Sequence, residues 1–238
     1  MRPLFTVVIP TKNRIGFLRQ AVQSVLAQSQ PAQVIVVDDG VGAAAAMAGA
    51  SPRLRVLDNA GRGPVPARNM GVAAADTTFI AFLDDDDWFS DTAHLARAAA
   101  AMAAGAAFTF SDGTLMFEDG SPPLPFAFDA DAQSLESNNT ILISAVSYRR
   151  DLHERLGGFD ETLPYYWDWD WYLRVARSGA QLAHIAAATV AIRVHANNMS
   201  GDEQTAARRT NLDRLEAKHG LPPIPLKNHA SIAQEEKG

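Results

Sequence analysis

Four consecutive carboxylates, Asp84-Asp85-Asp86-Asp87, follow directly on the apolar run Phe79-Ile80-Ala81-Phe82-Leu83. A short apolar run that ends at a polar switch reads as a buried parallel strand whose C-terminal end has reached the surface. In open α/β sheets that end is where ligands sit. Four adjacent negative charges repel one another, so a fold that keeps them together asks for a cation beside them. In an extended chain Asp84 and Asp86 project to one side and Asp85 and Asp87 to the other. Hard oxygen donors in that pattern suit Mg²⁺ or Mn²⁺, shared with a phosphate-bearing substrate. A solvated acidic turn with Asp87 capping the next helix is the plainer alternative.

The residues before this tetrad alternate strands with helices. Leu4 to Ile9 is a β-branched run ended by Pro10, and Thr11-Lys12-Asn13-Arg14 leads into the helically spaced pairs Phe17-Leu18, Ala21-Val22 and Val25-Leu26. Val34 to Val37 is a second strand, ended by Asp38-Asp39-Gly40 as the tetrad ends a later one. Two strands of one sheet thus deliver aspartates at their C-terminal ends, which argues for a shared site. An alanine-rich helix over 43–50, a strand over 54–57, a small-residue helix over 67–73 and a helix over 92–102 complete a βα rhythm. That rhythm predicts a doubly wound parallel sheet.

The second half changes character. Strands are expected over 107–110, 141–148, 181–185 and 190–194, with a hairpin turn at Asp119-Gly120 and an irregular loop over 121–133. Helices are expected over 152–156, 169–177 and 203–219, with a loose tail from Leu221. The expected organisation is an α/β half over 1–110, a second half over 111–200, and a C-terminal helix and tail over 201–238.

Composition narrows the function. A net charge of −6 gives no reason to expect nucleic acid as a partner, and the absence of cysteine excludes disulfides, thiolate metal sites and cysteine nucleophiles. No apolar segment reaches bilayer-spanning length or the form of a signal peptide. The chain therefore reads as cytoplasmic, with docking at a membrane surface and oligomer formation left open.

The other informative stretch is Tyr165 to Tyr172, where six aromatics surround Asp168 and Asp170. A carboxylate walled by aromatics is partly desolvated, which raises its pKa toward that of a general base. Asp168 stands at a helix start, where N-capping is the alternative, and Asp170 precedes Arg174 by four, the spacing of an intrahelical ion pair. The aromatics suit either a core or a platform for a sugar ring. Arg68 opens a small-residue helix and suits a phosphate or a fixed ion pair with the tetrad. His195, at the end of the last strand, suits metal, phosphate or a turn.

In order and spacing these segments resemble the family 2 glycosyltransferases of the GT-A fold. The carriers are 8–14 (Val-Ile-Pro-Thr-Lys-Asn-Arg), 36–40 (Val-Val-Asp-Asp-Gly), 67–71, 82–88, 157–161 and Asp168-Trp169-Asp170. The resemblance implies a Rossmann-like, mostly parallel sheet flanked by helices, with a smaller mixed acceptor-side region towards the C-terminus. It implies an inverting transferase using a nucleotide-sugar, UDP by default, with Mn²⁺ or Mg²⁺, and a hydroxyl-bearing acceptor: a glycan, a lipid-linked sugar or a small molecule. By resemblance Pro10, Thr11, Asn13, Arg14, Asp38, Asp39, Arg68, Asp84 and Asp85 bind the nucleotide-sugar. Asp86, Asp84 and His195 bind metal, and Asp168 is the catalytic base. Trp167, Trp169 and Asp170 fall on the acceptor side. The family's usual Glu before the base is replaced by Trp167.

Two other functions are compatible with parts of the chain. A sugar-1-phosphate nucleotidyltransferase calls for a Gly-rich loop after strand one, where this chain has Pro10 to Arg14. A non-catalytic sugar-binding module would draw its support from Trp167.

Overall fold

The computed structural model describes residues 3–195 and 205–235. Its centre is β1 (Phe5–Thr11), every residue of which is buried. Strands β2 (Ala32–Asp38), β3 (Leu54–Asp58) and β4 (Phe79–Phe82) run parallel to it in the order β3-β2-β1-β4. Beyond β4 the sheet turns mixed. Antiparallel β8 (Val146–Arg149) comes next, then β6 (Phe108–Phe117), then the long β9 (Leu182–Val194), then β5 (Trp88–Phe89). Strand β7 (Leu124–Phe126) forms a hairpin with β6. This is the α/β, GT-A-type architecture expected from the sequence.

Alternation along the strands divides the core into two layers. Phe5, Val7 and Ile9 of β1 join Leu18, Val22 and Val25 of α1 (Ile15–Leu26) and Leu95 and Ala98 of α4 (His94–Ala103) on one face. Val8 of β1 faces the other layer, with Val65 and Val72 of α3 (Pro64–Ala73) and Trp171 and Leu173 of α6 (Trp167–Arg177). The close seating of α3 depends on Gly71, where a Cβ would lie 2.3 Å from a Val8 methyl. A short α2 (Ala43–Met47) follows β2, and α5 (Arg150–Leu156) follows β8.

Several elements depart from the sequence reading. Strand one continues through Pro10 to Thr11, paired with Val37 and Asp38. The two last strands are one, because a bulge opposite Ser111-Asp112-Gly113 absorbs the break in pattern. Residues 141–148 are not a continuous strand: a 3₁₀ turn at Ile143–Ala145 precedes β8. The tail from Leu221 is not a plain loop: α7 (Thr205–His219) is followed by α8 (His229–Glu235), whose Ile232 and Ala233 are buried. The residues that follow His195, up to position 204, lie outside the described residues. Among the described residues no helix is long and apolar enough to cross a membrane.

Candidate active site

A cleft of about 620 Å³ runs along the C-terminal ends of β1, β2 and β4 and continues past the start of α6. The tetrad at its centre is not extended. The Asp87 amide donates to the Asp84 carbonyl at 3.1 Å, closing a turn, so the expected two-and-two division of side chains does not hold. Carboxylate oxygens of Asp84, Asp86 and Asp87 come within 4.8 Å of one another, and Asp85 points elsewhere. Three hard oxygen donors gathered in this way fit a divalent cation such as Mg²⁺ or Mn²⁺.

Each member has its own restraint. Arg68 of α3, only 5% exposed, pairs with Asp84 and stacks over the Trp167 ring at 4.3 Å. Asp85 accepts from the Thr11 hydroxyl at 2.6 Å, yet burial pushes its carboxyl up to about 6. Asp86 Oδ2 accepts from Arg14 Nη1 at 2.6 Å and lies 3.0 Å from His195 Nε2. Asp87, expected to face away, accepts from the Ser144 hydroxyl at 2.6 Å and the Arg193 amide at 2.9 Å. Burial and the adjacent Asp86 and Asp84 charges push Asp87 well above the usual carboxylate range. Arg193 also donates to the Asp86 carbonyl at 3.1 Å, bracing the turn from β9.

The loops after β1 and β2 meet beside this cluster. Pro10, Thr11, Lys12, Arg14 and Asp39 line the cleft. Asp39 accepts from Lys12 at 3.2 Å and from the Gly63 amide at 2.8 Å. Burial works against its charge, but these bonds and that to Asn59 hold its pKa below the usual value. Asp38 and Asn13, both expected to contact nucleotide, are instead spent on the loops and do not line the cleft. Asp38 accepts from the Gly40 and Ala43 amides, each at 2.9 Å, and Asn13, in the left-handed region at φ 59°, accepts from the Val41 amide at 3.0 Å.

The opposite wall is the start of α6. Tyr166 takes a left-handed conformation at φ 60° and turns the chain into the helix, directing Asp168 to the cleft. Burial raises the Asp168 pKa, while the Trp169 amide, the Asn139 side chain and Arg68 oppose the rise. Asn139 Nδ2 donates to Asp168 Oδ2 at 3.1 Å. Trp167 and Trp169 both line the cleft, the latter fixed by donation from its indole to the Leu135 carbonyl at 2.7 Å. Asp170 was expected on the acceptor side, and the structure corrects this. It is fully buried and does not line the cleft; its carboxylate pairs with Arg174 at 2.9 Å, Lys218 at 2.7 Å and His219 at 2.8 Å. The i,i+4 spacing with Arg174 had admitted that role.

Ser144, Asn139 and Arg193 were not read as site residues. Ser144 interrupts an apolar run, and that polar intrusion was the available signal. For Asn139, within the polar stretch 137–140, no sequence pattern marks which side chain reaches the cleft.

The family model for glycosyl transferase family 2 matches residues 6–157. An uncharacterized glycosyltransferase, YwdF, from Bacillus subtilis is 34% identical over 97% of this chain and 89% of its own length. Among solved structures, S. aureus TarS 1-349 in complex with UDP-GlcNAc aligns with a TM-score of 0.71 at 18% identity, over 90% of this chain and 65% of that one. The mannosyltransferase PcManGT of Pyrobaculum calidifontis, in complex with GDP-Man and Mn²⁺, aligns at 0.69 and 20% identity, over 94% and 67%. At those identities the structural likeness is one of fold.

Proposed function

The chain belongs to glycosyl transferase family 2, and from that premise we propose that it moves a sugar, with inversion, from a nucleoside-diphosphate donor to an acceptor hydroxyl. The observation that carries the reading is a single cleft holding two aspartate environments. One is the acidic turn 84–87, hemmed by Arg14, Arg68 and His195; the other is Asp168 between indole walls. Two carboxylate environments suited to different tasks, cation binding and proton removal, are what such a transfer requires. UDP is the default donor nucleotide, in keeping with the UDP-GlcNAc complex of the TarS neighbour, although the GDP-Man complex of the other keeps GDP open.

In this reading Pro10, Thr11 and Asp39 hold the base and ribose end, and Arg14, Arg68, Asp84 and Asp85 face the diphosphate. Asp86 and Asp84, with Asp87 and His195 beside them, would hold Mn²⁺ or Mg²⁺. A cation bound there would offset the negative charge of the diphosphate. Asp168 takes the proton from the acceptor hydroxyl as that oxygen bonds to the anomeric carbon. The bond from that carbon to the diphosphate oxygen breaks on the opposite face, and its electron pair leaves with the diphosphate. Arg14 and Arg68 lie where that charge builds. Asn139 keeps Asp168 Oδ2 oriented, and Trp167 and Trp169 wall the acceptor.

Asp168→Asn tests the assignment. It should bind UDP with Mn²⁺ as the parent protein does, while transfer falls by about 10³-fold. A donor panel with mass detection supplies the readout, and retained transfer would remove Asp168 from the role of base. Tight donor binding by the parent without turnover of any donor would favour the binding module.

A further inference from the structure

The cleft does not stop at Asp168. Past it the lining passes to α7, the segment that joins α7 to α8 and the start of α8, where Leu212, Ile224, Pro225, Ala230 and Ile232 line the same cavity. That segment is a pinned strap. Arg209 donates to the Ile224 carbonyl at 2.7 Å, and the Ile224 amide donates to Glu216 at 2.9 Å. At the far end Asn228 and Ser231 exchange bonds of 3.0 and 2.8 Å at the start of α8, and His229 sits edge-on to Phe126 with centroids 5.2 Å apart. Burial, with some help from Arg208, pushes the His229 imidazole down to about 4, so it is neutral at pH 7.

The chemistry of this end differs from that of the donor end. Its side-chain amide and indole are already engaged: Asn228 Oδ1 with the Ser231 amide, and Trp169 Nε1 with the Leu135 carbonyl. Arg208, only 4% exposed, donates to the Lys227 carbonyl. Hydroxyl groups laid directly on the Leu212, Ile224 and Ile232 side chains would lose water without finding partners on them, whereas apolar surface placed there would gain by losing it. Arg208 and Lys227 are the charged groups that this end contributes among the described residues, and they disfavour a cationic occupant.

We infer that the acceptor carries, next to its reacting hydroxyl, an apolar body without positive charge, held beneath the strap 224–232. The inference rests on the proposed reading of Asp168 as the base and specifies the acceptor class of that same site. A uniformly hydroxylated glycan end would present the wrong surface to Leu212, Ile224 and Ile232.

The test is calorimetric titration, in saturating UDP and Mn²⁺, with phenyl β-D-glucopyranoside and methyl β-D-glucopyranoside. The two share their hydroxyl groups and differ in the apolar body. The phenyl glycoside should bind about tenfold tighter, the effect of burying roughly half of one ring. Ile224→Asn, which puts an amide in the strap, should erase that preference while UDP–Mn²⁺ binding persists. Ala230→Leu, which fills the same end and keeps it apolar, should reduce the preference and serves where Ile224→Asn does not fold. Equal affinities, no binding of the phenyl glycoside, or a preference untouched by a folded variant would overturn the inference. Loss of UDP–Mn²⁺ binding by the parent protein would instead indict the functional reading on which it rests.

Discussion

Few groups favour the ionised form of Asp168 against the pull of burial, and one of them, Asn139, can be removed cleanly. Burial raises the carboxyl pKa and the Asn139 amide opposes that rise by bonding to the ionised form. Asn139→Ala should therefore raise the Asp168 pKa further. A base works only when deprotonated, so the acidic limb of the kcat/KM profile should move to higher pH, with UDP affinity unchanged. An unmoved limb would mean that Asn139 does not tune Asp168. At this scale the sequence was a partial guide. Asp84, Asp86, Arg68 and Asp168 were legible because a strand end and an aromatic cluster marked them. The partners Asn139 and Ser144 were not, since neither residue's direction follows from periodicity in an irregular segment. Asp38 and Asn13 line no part of the cleft because backbone amides claimed their oxygens.

Behind the wall that carries Asp168, α6 and α7 are latched by charge. Lys218 of α7 reaches Asp160 and Asp170, each at 2.7 Å, and Asp170 also holds His219 of α7 and Arg174 of its own helix. Lys218→Met should leave Asp170 with fewer partners and cost about 1–2 kcal/mol in urea unfolding, since Lys218 itself is partly exposed. The Asp160 carboxyl is pushed up by burial but held down to about 2 by Lys218 and Thr162. Its stabilising contribution is thus complete above about pH 4, the ordinary aspartate value, and is lost as pH falls toward 2. In Lys218→Met that acid-side loss should flatten; an unchanged acid limb would show that the latch carries no stability. The strands of the first half were legible because short runs rich in apolar residues ended at Pro10, Asp38, Asp58 and Asp84. α8 was not, because three prolines and an Asn-His pair precede or open it, and its burial comes from docking on β7. β5 is two residues long and exists through its pairing with Ala191 and Val190.

Across the whole molecule, the acidic turn at the end of β4 and the start of α6 border one cleft, and β9 of the same sheet braces the turn through the Arg193 bond to the Asp86 carbonyl. Ligands that unite the two walls should therefore stabilise the entire fold. UDP with Mn²⁺ together, near 100 times their dissociation constant, should raise Tm by about 5 °C or more. Mn²⁺ alone should raise it by about 1 °C at most, because Arg14 and Arg68 already pair with Asp86 and Asp84. An equal rise with Mn²⁺ alone would show that the resting cations do not compete. Arg14, covalently tethered, meets Asp86 at a high and constant effective concentration, so a bare ion enters against a resident counter-ion that cannot diffuse away. A metal–diphosphate complex faces no such contest, since its phosphates offer the guanidinium somewhere else to go. On the proposed reading, loading of the site would be an exchange of partners, with the charge-balanced complex, not the free ion, the species that the protein selects from solution.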